Sequence, residues 1–347
     1  MKISIGMQLQ SGPFGGGNQF GHSLVQALKA QGIQPCFDLK DPQLDLILLA
    51  EPRKELQISA YTDANIWAYL KRIHPGAIVV HRINECDERK GSEGVNQRII
   101  EANRCADHTV FVSKWLQDLY LEQGIGAQSY SVIHNGSDTR IFNSYQHQTW
   151  SGEGKLKIVT HHWGANWLKG FDIYAELDRL LGEADFAQDF EFTYIGNLPE
   201  GFELKHSRWI SPLNGSALAS ALRENHVYLS ASQNEPGPNH QNEGANCGLP
   251  LVYRPSGGLS EYCDGFGIAF EGEGDFKDAL YRMRSEYSHW QEKIASYPFT
   301  AEACTGQYLQ TFKDLLAQRD RLIKARDWQA EAGFKRYLRG LKRRLKS

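Results

Sequence analysis

The stretch VYLSASQNEPGPNHQNEGANCGLP, residues 227–250, has the form of a strand, a loop and a helix. A buried strand ends at Leu229, a loop rich in glycine and proline follows, and a short helix begins near Asn242. Free backbone N–H groups at the start of a helix favour a phosphate. Glu235 and Glu243 flank the loop, and each carboxylate could hold sugar hydroxyls, although either could instead be a surface charge. The stretch therefore predicts a site for a sugar attached to a pyrophosphate.

Short apolar runs alternate with helical patterns along most of the chain, which is typical of parallel sheets with crossover helices. The predicted strands of the first half are 3–7, 44–49, 77–81, 109–112 and 131–133. Those of the second half are 157–160, 190–195, 227–229 and 249–253, with helices at 171–181 and 216–223. A polar stretch at 143–154 separates the two series. The sequence thus predicts an α/β protein with two doubly wound, Rossmann-like domains and a cleft between their strand ends.

Several motifs together closely resemble the donor-site signature of glycosyltransferase family 4, whose members are retaining enzymes with the GT-B fold. They are SASQNE at 230–235, Glu243, GLP at 248–250 and GGLSE at 257–261. VIHNGSD at 132–138, followed by Phe142, resembles the segment that leads out of the family's N-terminal domain. The resemblance extends to about residue 316, and its specificity lies in the combination of motifs.

The resemblance also implies an arrangement of domains. An acceptor-side domain would comprise residues 1–145, and a nucleotide-sugar-binding domain residues 152–300. Residues 301–347 would form a helix that crosses back onto the first domain, followed by a tail.

Three residue roles follow from the resemblance. Glu243 is expected to bind the ribose hydroxyls of the nucleotide, and Glu235 to contact the transferred sugar. Lys169 stands where the family has its phosphate-binding lysine, and a point charge on a flexible stem suits the neutralisation of a leaving phosphate. The other donor-site residues implied by the resemblance are Asn166, Gly237, Pro238, Asn239 and His240.

The sequence departs from the family pattern at Trp163. The family usually has an arginine about six residues before the phosphate-binding lysine, and Trp163 occupies that region here. Phosphate stabilisation would then rest on Lys169, Asn166 and backbone amides, or on another basic residue such as Arg254.

Two loops of the first half are further candidates. GPFGGGN at 12–18 lies between a strand and a helix, where Gly15, Gly16 and Gly17 would allow close approach of the donor diphosphate, although a tight turn alone would also explain them. The loop lacks the dinucleotide-binding spacing, which disfavours a nicotinamide-dependent oxidoreductase. The charged segment HRINECDERK at 81–90 follows a predicted strand. His81 and Asn84 are candidate catalytic residues and Arg82 a candidate acceptor-binding residue; the alternative is a solvated loop.

The composition and the histidine pattern indicate the cellular location of the protein and whether it needs a metal. The 347 residues have a net charge of −3 and a mean hydropathy of −0.49, without a signal peptide or a long apolar run, so we expect a cytoplasmic protein. His161 and His162 are adjacent on a strand and would point to opposite faces, so we expect no metal site. The resemblance implies no cofactor, since the nucleoside diphosphate sugar is a substrate.

The last residues form a basic tail. Seven lysines and arginines follow residue 334 without an acid, so the rest of the chain carries a net charge of −10. Phe334, Tyr337, Leu338, Leu341 and Leu345 would form an apolar stripe on a helix. The pattern predicts docking on an anionic membrane surface, and a frayed helix is the alternative. The acidic body argues against nucleic acid as a partner.

The sequence therefore predicts a retaining, metal-independent glycosyltransferase that moves a hexose-type unit from a nucleoside diphosphate sugar to a hydroxyl group. The resemblance further implies a glycan or lipid-linked acceptor in envelope polysaccharide or lipopolysaccharide assembly. The alternatives are a sugar-nucleotide epimerase or phosphorylase with the same fold, and a non-catalytic sugar-binding scaffold.

Overall fold

The computed structural model describes residues 1–10, 16–126 and 129–328. In this part of the chain, the first sheet has five strands, all parallel. Its strands and helices are β1 (Ile3–Ile5), α1 (Gly16–Ala30), β2 (Leu46–Leu49), α2 (Asp63–Arg72), β3 (Ile78–Ile83), α3 (Val95–Asn103), β4 (His108–Phe111), α4 (Lys114–Glu122) and β5 (Tyr130–Val132). Strands β1 to β4 are buried along their whole length, as a sheet covered by helices on both faces requires.

The first sheet is wound in both directions from β1. The strands β1 to β5 follow one another in chain order. On the other side of β1, Ser4 forms a parallel bridge with Cys36, which lies between α1 and β2. The chain therefore leaves β1 in one direction, returns and continues in the other, which is the predicted doubly wound arrangement.

The second sheet has six parallel strands in the order β11-β10-β9-β6-β7-β8. Its elements are β6 (Leu156–His162), α5 (Phe171–Leu181), α6 (Ala184–Asp189), β7 (Phe190–Gly196), β8 (Arg208–Ile210), α7 (Gly215–Arg223), β9 (Val227–Ser230), α8 (His240–Asn246), β10 (Leu251–Tyr253), α9 (Leu259–Cys263), β11 (Gly267–Ala269), α10 (Glu273–Ser285) and α11 (Tyr287–Ile294). The winding reverses between β6 and β9. Ligands of such sheets bind beyond the strand carboxyl ends at this reversal.

The chain then returns to the first sheet. Helix α12 (Ala301–Ala317) is capped by Thr300, whose hydroxyl accepts a hydrogen bond from the backbone N–H of Ala303 at 3.1 Å. Tyr308 and Phe312 of α12 are fully buried in the same core as Ile5 and Leu48. The predicted crossing helix is thus confirmed. Helix α13 (Arg319–Ala325) follows it.

The local differences from the sequence-based predictions have simple reasons. Strand β8 begins with Arg208 and is partly exposed, and strand β11 begins with Gly267, so neither forms a recognisable apolar run. Helix α8 begins at His240 and not near Asn242, because the loop is shorter than its glycines and prolines suggest. The exact domain limits at 145 and 152 stay a prediction, and Phe142 already packs in the core of the second sheet.

Within the described ranges, the helices are all too short or too polar to cross a membrane. The predicted membrane-docking tail lies outside the described residues.

Candidate functional site

A cleft of about 380 Å³ lies where the carboxyl ends of the two sheets face each other. Its first wall contains the start of α1 and the loop after β3, and its second wall contains the ends of β6 and β7 and the loop between β9 and α8. Residues from both walls line it, among them Gly17, Asn84, Arg89, Lys169, Glu235 and Glu243. Side chains that lie far apart in the sequence therefore meet at one place.

Glu235 lies between two cations at the centre of this cleft. Lys169 Nζ donates to both carboxylate oxygens, at 2.8 Å to Oε1 and 2.6 Å to Oε2. Arg89 Nε, from the opposite wall, donates to the same Oε1 at 2.8 Å. Burial alone would raise the pKa of Glu235, but the positive charges of Lys169 and Arg89 outweigh it and lower that pKa to about 2. Glu235 is therefore a carboxylate at neutral pH.

Arg89 is held by a second carboxylate. Its Nη1 donates to both oxygens of Glu85, at 3.1 and 2.9 Å. The negative charge of Glu235 raises the pKa of Arg89. Burial acts in the opposite direction, but the charge of Glu85 adds to that of Glu235 and the pKa stays raised. Lys90, the next residue, also lies on the cleft wall, 3.6 Å from Glu85 Oε2. Arg89 was not among the candidate site residues, although it lies within the charged segment 81–90 that the sequence analysis selected.

Glu243 has a partner of a different kind. His161 Nε2 lies 2.7 Å from Glu243 Oε2, and the other ring nitrogen of His161 lies 3.0 Å from the hydroxyl of Tyr228. The carboxylate is 4% exposed and lines the cleft. A chain of hydrogen bonds thus fixes its orientation. The sequence analysis had considered His161 only as a metal ligand.

Two further histidines line the floor of the cleft. His162 Nε2 is 2.7 Å from the hydroxyl of Tyr174, and His240 Nε2 is 2.9 Å from the hydroxyl of Ser230. Burial, reinforced by neighbouring positive charges, lowers the pKa of both well below the usual range, so both are neutral at pH 7. They shape the floor of the cleft without adding charge.

Close backbone approach explains two glycines. A Cβ on Gly237 would lie 2.5 Å from Val112 Cγ2, and the carbonyl oxygen of Gly237 accepts a hydrogen bond from Asn135 Nδ2 at 2.6 Å. A Cβ on Gly16 would lie 2.3 Å from Asn239 Nδ2. Both contacts join the two walls; a larger side chain at Gly237 would collide with Val112, whereas at Gly16 it would displace the side-chain amide of Asn239.

Comparison with known proteins supports this geometry at the level of the fold. Neither a protein-family model nor a curated protein sequence matches the chain. Among solved structures, HepE of Anabaena in complex with UDP superimposes with a TM-score of 0.67 at 14% identity, over 91% of this chain and 100% of that one. Sucrose-phosphate synthase of Thermosynechococcus elongatus gives 0.63 at 13%, over 91% and 99%. AviGT4, a glycosyltransferase involved in avilamycin A biosynthesis, gives 0.62 at 14%, over 91% and 98%.

The chain has the GT-B fold. Most of the candidate catalytic and donor-site residues lie on the wall of the GT-B cleft, where the structure brings them together. They are Gly16, Gly17, Asn84, Asn166, Lys169, Glu235, Gly237, Pro238, Asn239, His240 and Glu243. Gly15 lies outside the described residues.

His81 and Arg82 do not line the described wall of the GT-B cleft. Strand β3 continues to Ile83, so both residues lie within the sheet and not in the loop where the sequence analysis placed them. His81 is 1% exposed and bonds the side chain of Asn103 at 2.9 Å, and burial lowers its pKa to about 4. Arg82 donates to Asn135 Oδ1 at 2.9 Å, beneath the wall.

The segment 163–169, in which Trp163 departs from the family pattern, also lies along the GT-B cleft. Trp163 lines the cleft with 51% of its surface exposed. Asn166 accepts a hydrogen bond from the backbone N–H of Leu168 at 2.9 Å and so begins the 3-10 turn that carries Lys169. Arg254 donates to Asp172 at 2.6 Å and is not part of the lining, so it does not supply the missing charge. In the ranges that the structure describes, no cluster of side chains suits a metal ion.

Proposed function

We propose that this protein is a retaining glycosyltransferase that transfers a sugar from a nucleoside diphosphate sugar to a hydroxyl group. One observation carries the proposal: Glu243, Lys169 and Glu235 face one cleft between the two sheets of a GT-B fold. A cation beside two ordered carboxylates offers a partner for each part of such a donor, since phosphate needs positive charge and sugar hydroxyls need acceptors.

The proposed roles follow from these partners. Glu243, oriented by His161, accepts hydrogen bonds from the ribose hydroxyls. Lys169 stabilises the negative charge that develops on the leaving phosphate, in a place where burial strengthens the interaction. Glu235 contacts the transferred sugar, and the backbone of residues 237–240 lines the sugar and the diphosphate.

In this proposal, retention of the anomeric configuration of the transferred sugar requires little further chemistry from the protein. The acceptor hydroxyl attacks on the face from which the phosphate leaves, and the leaving oxygen takes the acceptor's proton. The carbon–oxygen bond to the phosphate breaks as the bond to the acceptor forms, so the cleft contributes positioning and charge stabilisation. Asn84 lines the opposite wall of the same cleft, and its proposed role is contact with the reacting sugar.

The known complexes of HepE support the class of donor. HepE has been crystallised with UDP, with UDP and glucose, and with UDP-glucose. We propose a uridine or related nucleotide with a hexose as the donor of this protein, and a glycan or lipid-linked acceptor of envelope polysaccharide assembly.

The proposal is tested in two steps with the full chain. Thermal unfolding with UDP, GDP, ADP and their sugars should show a raised Tm for one nucleotide series, because a bound ligand stabilises the native state. Transfer is then followed by NMR of the anomeric proton, and the product should keep the donor's anomeric configuration. An inverted product would exclude the retaining mechanism. Conversion of the donor sugar without an acceptor would favour an epimerase instead.

The basic tail would hold the enzyme beside a lipid-linked acceptor. Each lysine or arginine near an anionic surface contributes about 1 kcal/mol at low salt. The full chain should sediment with anionic vesicles and be released by salt, and a variant ending at Gly333 should not sediment. Equal sedimentation of the two proteins would rule out this role.

A further inference from the structure

We propose that Arg89 of the first wall binds the diphosphate of the donor together with Lys169 of the second wall. This inference rests on the proposed function and adds a specific residue to its donor site. Of the lysine and arginine side chains that line the described cleft, Lys169 alone comes from the second wall, whereas Arg89 and Lys90 come from the first. A diphosphate on the second wall therefore needs a further cation from across the cleft.

The geometry brings Arg89 and Lys169 to a single point. Arg89 Nε and Lys169 Nζ both donate to Glu235 Oε1, each at 2.8 Å. Two cations that share one carboxylate oxygen can also share one phosphate oxygen, since the two anionic groups accept hydrogen bonds at similar distances. Glu235 thus holds both cations in positions that a phosphate oxygen could also bridge.

The local charge favours an anionic ligand. The described ion pairs of this cluster join three cations, Arg89, Lys90 and Lys169, with two carboxylates, Glu85 and Glu235. Within these ion pairs one positive charge is in excess, and the further carboxylate that lines the described cleft, Glu243, is bonded to His161. The guanidinium of Arg89 remains charged at every physiological pH, and its planar fork suits two oxygens of a phosphate group.

The arrangement also compensates for Trp163. The indole carries no charge, and Arg254 pairs with Asp172 away from the cleft lining. Arg89 instead reaches the cleft from a loop 146 residues before Glu235. A cation carried by the opposite wall contacts the ligand only when both walls are close, so donor binding would favour the closed arrangement.

Isothermal titration of the full chain with UDP, GDP and ADP, and with the matching monophosphates, tests the inference. For the best-bound nucleotide, Arg89→Gln should raise the Kd of the diphosphate about ten- to a hundredfold and that of the monophosphate less than about threefold. Arg89→Lys keeps the charge and should show the same preference with a smaller loss. If Arg89→Gln does not fold, Arg89→Lys decides the comparison.

A matched control uses another arginine of the first sheet. The side chain of Arg98 is 28% exposed and paired with Asp63, against 27% for Arg89, but Arg98 does not line the cleft. Arg98→Gln should bind both nucleotides like the unchanged protein. An equal loss in both variants would overturn the assignment of Arg89.

Glu235→Gln distinguishes ligand binding from a purely structural ion pair. If Arg89 binds the diphosphate, removal of the competing carboxylate should leave the affinity for the nucleoside diphosphate unchanged or increase it, because UDP, GDP and ADP lack the transferred sugar that Glu235 is proposed to contact. If Arg89 only joins the two walls through Glu235, both variants should weaken mono- and diphosphate alike, which would overturn the inference. If the unchanged protein binds no nucleoside diphosphate, the proposed function is overturned together with this inference. Normal binding by Arg89→Gln would overturn the inference alone.

Discussion

Glu235 and Glu243 lie at the two ends of one loop and helix start, both almost fully buried, yet their electrostatic surroundings are opposite. Glu235 contacts two full positive charges, which lower its pKa to about 2. Glu243 contacts an imidazole that is itself bonded to a tyrosine hydroxyl. The difference shows that the first carboxylate organises charge, whereas the second is oriented as a hydrogen-bond acceptor. Partners from distant segments decide this difference.

The largest expected effect comes from Lys169, the lysine that contacts Glu235. Lys169→Ala should lower turnover at saturating donor about 100- to 1000-fold, because the charge on the leaving phosphate loses its main partner. Steady-state kinetics with a saturating donor measures this loss. Lys277→Ala, on the surface beside Glu183, is the control and should retain full activity. Undiminished turnover by Lys169→Ala would place the chemistry elsewhere.

The second effect is a pH dependence of stability at Glu235. Its folded pKa of about 2 lies below the ordinary value of 4.5, so the unfolded chain takes up the proton first as the pH falls. The stabilisation is complete above about pH 5.5 and decreases below it, by about 2 kcal/mol at pH 3.

Urea unfolding of the unchanged protein and of Glu235→Gln from pH 7 to pH 3 isolates this contribution from those of other carboxylates. The difference in unfolding free energy between the two proteins should stay level to about pH 5.5 and then decrease. A constant difference down to pH 3 would show that Glu235 is not held by its cations in solution.

The third effect concerns Glu243, the carboxylate that His161 orients by a hydrogen bond. Glu243→Gln should weaken nucleotide binding by about 1.5–3 kcal/mol, the range for a hydrogen bond to a charged group. The loss should be equal for nucleoside mono- and diphosphates, because the ribose is common to both. Titration calorimetry measures it. A loss restricted to the diphosphate would mean that Glu243 acts on the phosphates and that the two carboxylates do not differ as proposed.

The smallest effect concerns the orientation of Glu243. His161→Gln should weaken nucleotide binding by about 1 kcal/mol, the size of a typical intramolecular hydrogen bond, because it loosens the orientation of Glu243 without removing the carboxylate. If His161 acts through Glu243, the substitution should have no further effect in the Glu243→Gln background. Additive losses in the double variant would show that His161 contacts the nucleotide independently.

The sequence alone predicted what depends on local pattern. Apolar runs located the long buried strands, and helix 171–181 was predicted with its observed limits because its apolar face repeats at helical spacing. Lys169, Glu235 and Glu243 were selected because their segments resemble the donor-site motifs of glycosyltransferase family 4. Strands β8 and β11 escaped, since they include Arg208 and Gly267 and so form no continuous apolar run.

Only the tertiary structure decided which of these segments meet. It brought Arg89 to Glu235 across 146 positions and His161 to Glu243 across 82, and it placed His81 within the sheet. The physical reason is that periodicity reports the backbone conformation and burial of one segment, whereas a site is made by the strand order of two sheets and the packing of one against the other. The sequence therefore determined the parts of the cleft, and the packing of the two walls determined their partners.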